Sequence, residues 1–175
     1  MKIAKTNKQK TIISIVLFLI GFMAFTQNII RKDKLSFHSF SITPLEVFFI
    51  DNSGGVSITG ELSYAFNKNI FTFSATAGEE LSIWSRGFRY QQISMLYGRE
   101  IGLSKRLFID THAGIGLIVY NDLYDTRLIE AGIPLVTKLR YKTGDKFSIG
   151  LKFQANFNSA ENVYSAGVLL QWNYL

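Results

Sequence analysis

From Gly55 to the end of the chain, apolar and polar residues alternate with a period of two, in long segments separated by polar turns. Val56, Ile58, Leu62, Tyr64 and Phe66 interleave with Ser57, Thr59, Glu61, Ser63 and Asn67. Phe147, Ile149, Leu151, Phe153, Ala155 and Phe157 interleave with Ser148, Gly150, Lys152, Gln154, Asn156 and Asn158. Tyr164, Ala166, Val168, Leu170, Trp172 and Tyr174 alternate with a more mixed set containing Ser165, Gly167, Gln171 and Asn173. A side-chain period of two is that of a β-strand, and it gives each strand one apolar and one polar face. Eight segments fit: 37–50, 55–67, 70–78, 88–103, 107–120, 132–143, 147–158 and 163–174. Most are far longer than the usual strand of about five or six residues and match the roughly 9–11 residues of a tilted strand crossing a bilayer. No segment carries a sustained helical stripe.

The connections divide into two kinds. Asn67-Lys68-Asn69, Ser104-Lys105-Arg106 and Gly144-Asp145-Lys146 are tight polar turns with hairpin chemistry. Asp51–Gly54, Glu79–Gly87, Asn121–Ala131 and Ser159–Asn162 make up the alternate connections, and two of them are long. In an antiparallel meander alternate connections share an end, so short turns gather at one end and longer loops at the other, as in outer-membrane barrels.

The N-terminus has a different grammar. Lys2, Lys5, Lys8 and Lys10 precede an almost wholly apolar run, Thr11 to Phe25. Fifteen residues of helix span about 22 Å, short of the ~30 Å hydrocarbon core. A basic stretch followed by a short apolar run reads as a secretory signal peptide. Ala24 and Thr26 supply the small residues of a cleavage site, placing the signal at 1–26 and the mature domain at 27–175. Without that leader, 15 of the 19 positive charges face all 13 negative ones. The net charge of +6 therefore owes much to the leader and is no nucleic-acid footprint. The absence of Cys excludes a disulfide scaffold, a thiol nucleophile and a Cys-based zinc site.

Alternation alone does not say which face is inside, since a soluble lipocalin-like secreted barrel also alternates. Three features favour polar inside and apolar outside. The polar face is rich in small residues (Gly98, Gly102, Gly114, Gly116, Gly150, Gly167, Ser94, Ser148, Ser165), suited to an eight-stranded interior just wide enough for side chains to fill. Aromatic residues of the apolar face gather near strand ends, with Phe66 and Phe71 at one turn, Tyr141 and Phe147 at another, and Trp172 and Tyr174 at the chain end; such a girdle marks a membrane interface. The leader implies export. The expected fold is all-β: an eight-stranded antiparallel up-and-down transmembrane barrel.

The leader, the eight amphipathic strands and the last strand VYSAGVLLQWNYL together resemble the small outer-membrane β-barrels of the OmpA/OmpX-like and PorT-like kind. The resemblance spans the mature chain. It implies location in the outer membrane of a Gram-negative bacterium, contact with outer-membrane lipid and lipopolysaccharide, and recognition of the final strand by the barrel-assembly machinery. Trp172 and Tyr174 precede the terminal Leu175 in that strand.

The polar face also carries charges: Glu61, Glu100, Asp110, His112, Lys138, Arg140 and Lys152. Counting outward from the tight turns sets Glu100 opposite Asp110 and Lys138 opposite Lys152. Like charges directly opposed are unfavourable, so counter-charges must come from across the lumen, with the acidic side on strands four and five facing the basic side on strands six and seven. The bland outcome is a structural ion-pair plug; the sharper one is an ion or proton path. In the long loops, Trp84, Arg86, Tyr124 and Arg127 are residue types favoured at interfaces, and they are candidate contacts for lipopolysaccharide phosphates or a protein partner.

No catalytic, cofactor-binding or metal site is expected. Lipid A deacylases resemble this scaffold and keep a His-x-Ser pair on a late, membrane-facing strand. Here the late strands, FQANFNSAENVYSAG, contain no His. His38 and Ser39, adjacent on one strand, are expected on opposite faces, and His112 is followed at two residues by Gly114. Two distant His and no Cys provide no ligand cluster, and no Gly-rich phosphate loop precedes a helix. The expected role is a non-enzymatic structural or interaction one, with a lipid-modifying enzyme and a soluble binding barrel as alternatives.

Overall fold

The computed structural model describes residues 35–50, 53–81, 89–121 and 127–174. The expected signal segment lies outside the described residues. Eight strands follow one another: β1 (Ser36–Ile50), β2 (Ser53–Phe66), β3 (Asn69–Glu80), β4 (Arg89–Gly102), β5 (Leu107–Asn121), β6 (Arg127–Lys142), β7 (Phe147–Asn158) and β8 (Val163–Asn173). Each pairs with its sequence neighbours, and β8 pairs with β1, so the sheet closes into a barrel. Closure removes both sheet edges, which would otherwise present a row of unpaired backbone groups.

The three tight turns lie where the sequence puts them, and they set the register. Phe66 pairs with Asn69 around Asn67 and Lys68. Asn67 adopts φ 59°, a left-handed conformation that Asn tolerates. Glu100 lies opposite Asp110 and Lys138 opposite Lys152, as the turn arithmetic requires.

Two departures from simple alternation matter for the interior. In β1 the pairing with β2 slips between Phe37 and Ser39 and again between Thr43 and Glu46. The second slip falls at Pro44, which has no N–H for a ladder and is confined to edges and bulges. It reverses the parity of the strand: Ser39, Ser41 and Thr43 are buried before it, and Glu46, Phe48 and Ile50 after it. The other departure is the start of β6. Residues 127–131 do not belong to a loop, because Arg127 to Ala131 pair in unbroken register with Asn121 to Leu117 of β5. The apolar run Leu128-Ile129 continues the sheet, and the connection shrinks to residues 122–126.

Candidate functional site

The barrel is inside out by the standard of a soluble protein. Its outward positions are aliphatic and aromatic: Leu45, Phe49, Phe73, Ile93, Met95, Ile115, Leu117, Leu151 and Phe153 are all exposed. Toward the turn end this belt becomes aromatic. Trp172 stacks on Phe40 at 5.7 Å and meets Phe147 edge-on at 5.3 Å. Phe37 contacts Tyr64 and Tyr174, and Phe71 contacts Tyr97.

The inward positions bury the charges. All seven residues singled out on the polar face lie on lumen-facing positions, and six are buried; Glu100, near the turn-end mouth, is partly exposed. Arg140 spans the two acidic residues of β4 and β5. Its Nε and Nη2 donate to the Asp110 carboxylate at 2.5 and 2.8 Å, and Nη2 also donates to Glu100. Its plane lies over the Phe108 ring, 5.7 Å from the centroid. The opposed lysines are compensated differently from the expectation. Lys138 donates to Glu61 on β2 at 2.5 Å, and Lys152 donates to Glu46 on β1 at 2.8 Å while lying 3.6 Å from Glu61. Strands β4 and β5 supply the partners of Arg140 alone; β1 and β2 supply those of the lysines.

Glu46 is the lumen residue that the alternation pattern misses. Continued parity from Ser41 and Thr43 would put its carboxylate on the apolar face. The bulge at Pro44 turns it inward, where Ser57 and Thr59 donate hydrogen bonds at 3.2 and 3.0 Å. The signal was present: a proline within a strand pattern, followed by a charge on what would be an apolar face. The first slip in β1 likewise corrects the expectation for His38 and Ser39. His38 sits at the bulge with Nε2 3.8 Å from Glu100, while Ser39 is buried in the lumen. His112 is buried beside Gly98, where an added Cβ would come within 2.5 Å of the imidazole ring. Neither His112 nitrogen has a hydrogen-bond partner among the described residues.

Toward the loop end the filling changes character. Phe48, Ile50, Tyr90, Ile118, Tyr120 and Val163 form an apolar cluster from four strands. The Phe48 and Tyr90 rings meet edge-on at 4.9 Å. Gly78 makes room for them: a Cβ there would lie 2.3 Å from Tyr90 Cε1. Asn158 ties the β7–β8 loop to this layer. Its Nδ2 donates to Tyr120 Oη at 2.9 Å, and its Oδ1 accepts from the backbone N–H of Ala160 and Glu161. Between the two layers Gln154 donates to Gln92 at 3.2 Å.

Of the candidate outer-loop contacts, Trp84, Arg86 and Tyr124 lie outside the described residues. Arg127 opens β6, exposed at the loop end. Among the described residues no group of three or more His, Asp or Glu is arranged to hold a metal ion.

No family model matches the sequence, and no curated protein matches it. Solved structures do match. Neisserial surface protein A superposes with a TM-score of 0.68 over 81% of this chain and 99% of that one, at 12% identity. The N-terminal β-barrel domain of Pseudomonas aeruginosa OprF gives 0.59 over 82% and 100%, at 13% identity. The outer membrane enzyme PagL gives 0.51 over 76% and 97%, also at 13%. At such identities the likeness is one of fold: the chain has the eight-stranded architecture of small outer-membrane barrels.

Proposed function

We propose that the chain is exported by its leader and spans the outer membrane of a Gram-negative bacterium as a non-enzymatic barrel with a structural or interaction role. The observation that carries this is the inversion of polarity. Exposed aliphatic side chains ring the outside, and buried ion pairs fill the inside. In water this arrangement would expose a continuous apolar surface far larger than soluble monomers tolerate. In a bilayer it satisfies every requirement, since a closed barrel leaves no backbone edge in lipid. A secreted soluble barrel would need the opposite polarity.

The non-enzymatic part rests on the same geometry. Both histidines of the sequence point into the lumen, away from the lipid on which a membrane-facing hydrolase would act. The interior is filled at both levels, by ion pairs and by the aromatic layer, and an eight-stranded barrel so filled has no aqueous channel. The loop end offers a surface toward outer-membrane lipid, lipopolysaccharide or a protein partner, with the barrel-assembly machinery acting on the chain during insertion. Cell fractionation tests the proposal. The protein is expected to sediment with outer membranes and to resist alkaline extraction, and purified protein is expected to leave lipid A acyl chains intact. Recovery in the soluble periplasmic or medium fraction would contradict it.

A further inference from the structure

Among the described residues, the two ends of the barrel carry opposite charge. At the turn end Lys68 lies on the β2–β3 turn, Lys105 and Arg106 on the β4–β5 turn, and Lys142 and Lys146 at the β6–β7 turn; Asp145 is the acidic residue among them. Four of these five cations are exposed, and Lys142 is half-buried. Among the described residues none of the five is in an ion pair; Arg106 Nη1 donates to the phenol of Tyr141 at 3.4 Å. Among the described residues of the loop end, Glu79, Glu80, Glu130 and Glu161 outnumber Arg89 and Arg127, and Arg89 is paired with Glu79 at 2.8 Å.

From this we infer that the turn end is an electrostatic docking ring for anionic glycerophospholipid headgroups. The inference rests on the membrane-spanning reading above. Two features favour a lipid leaflet over a folded acidic partner. The cations sit on all three tight turns, which alternate around the closed barrel, so they form a ring; a compact protein would meet only one arc of it. They also adjoin the aromatic girdle directly. Arg106 reaches Tyr141, and Lys146 accepts through its carbonyl from the N–H of Asn173 at 2.7 Å, which places it beside Trp172. Aromatic side chains of that kind mark headgroup depth. Cations at that depth are attracted to an anionic leaflet within a Debye length, and the attraction is lost in high salt.

Trp172 is a built-in reporter, because the chain has only two Trp and Trp84→Phe leaves it alone. The Trp84→Phe protein is reconstituted in vesicles of phosphatidylcholine with a minor fraction of phosphatidylglycerol. Bromine is carried on the acyl chains of one lipid or the other. Quenching of Trp172 per brominated lipid is expected to be about twofold or more stronger for phosphatidylglycerol. The preference should vanish in high salt and in a variant with Lys68, Lys105, Arg106, Lys142 and Lys146 all changed to Gln. It should survive when the four lysines are changed to Arg, which controls for folding. Equal quenching by the two lipids in the parent protein would overturn the inference while leaving the barrel in the membrane. Equal quenching together with a Trp172 emission shift on adding polyglutamate would overturn it in favour of an acidic polypeptide. Quenching by neither lipid would contradict the membrane-spanning reading itself.

Discussion

The lumen is filled in two ways within one closed sheet. From mid-barrel to the turn end, Glu46, Glu61, Glu100 and Asp110 meet Lys138, Arg140 and Lys152, and the fit is one of charge. In the loop half, Phe48, Ile50, Tyr90, Ile118, Tyr120 and Val163 meet one another, and the fit is one of shape. The two halves should therefore fail differently. A charge left alone in a poorly hydrated space is costly whatever its size, and the cost disappears when its partner is neutralised. A ring without its slot is costly whatever its polarity, and only a change of volume relieves it.

The largest expected effect is in the charged half. Arg140→Leu strands Asp110 and Glu100 and should cost about 3–5 kcal/mol in urea unfolding from liposomes. Adding Glu100→Gln should recover part of that loss, because the orphaned carboxylate goes with its partner. The full double-mutant cycle measures the coupling. Strict additivity would show that Arg140 and Glu100 do not interact across the lumen. In the apolar half Gly78→Ala pushes a methyl against Tyr90 and should cost about 1–3 kcal/mol. Tyr90→Leu in the same chain should relieve the clash, whereas Glu100→Gln should not. Rescue of Gly78→Ala by a charge change would erase the distinction between the halves. Ile118→Val is the mildest probe of the apolar layer and should cost about 0.5–1.5 kcal/mol, with the same loss in the Glu100→Gln background.

The charged half was largely legible in the sequence because hairpin turns fix register. Once Lys105 and Asp145 are centred in tight turns, the oppositions Glu100 with Asp110 and Lys138 with Lys152 follow by counting. The partners of the lysines did not follow, because they lie across the lumen on β1 and β2, and β1 is the strand whose alternation is broken. One inserted residue at Pro44 moves Glu46, Phe48 and Ile50 from the expected outer face to the inner one. A period-two pattern holds no memory of a bulge except through the proline and the misplaced charge. The apolar layer was hidden for a related reason. Its members sit at the loop ends of β1, β4, β5 and β8, where an apolar side chain on the polar face looks like fraying of the pattern instead of a second filling. Residues 127–131 fall in the sequence within the Asn121–Ala131 connection; their pairing with β5 is a tertiary fact.

The inverted polarity of the barrel turns on which face of the strands meets lipid. The chain has no Cys, so single cysteines carrying a spin label can be placed along β7 from Ser148 to Phe157 without background changes. Collision with oxygen, which concentrates in the bilayer, should alternate residue by residue. Maxima are expected at Ile149, Leu151, Phe153 and Ala155 and minima at Lys152, Gln154 and Asn156, with a water-soluble nickel reagent reaching none of the maxima. The same alternation with its phase reversed, or ready access of the nickel reagent to Leu151, would contradict the assignment of the apolar face to lipid and the charged face to the lumen.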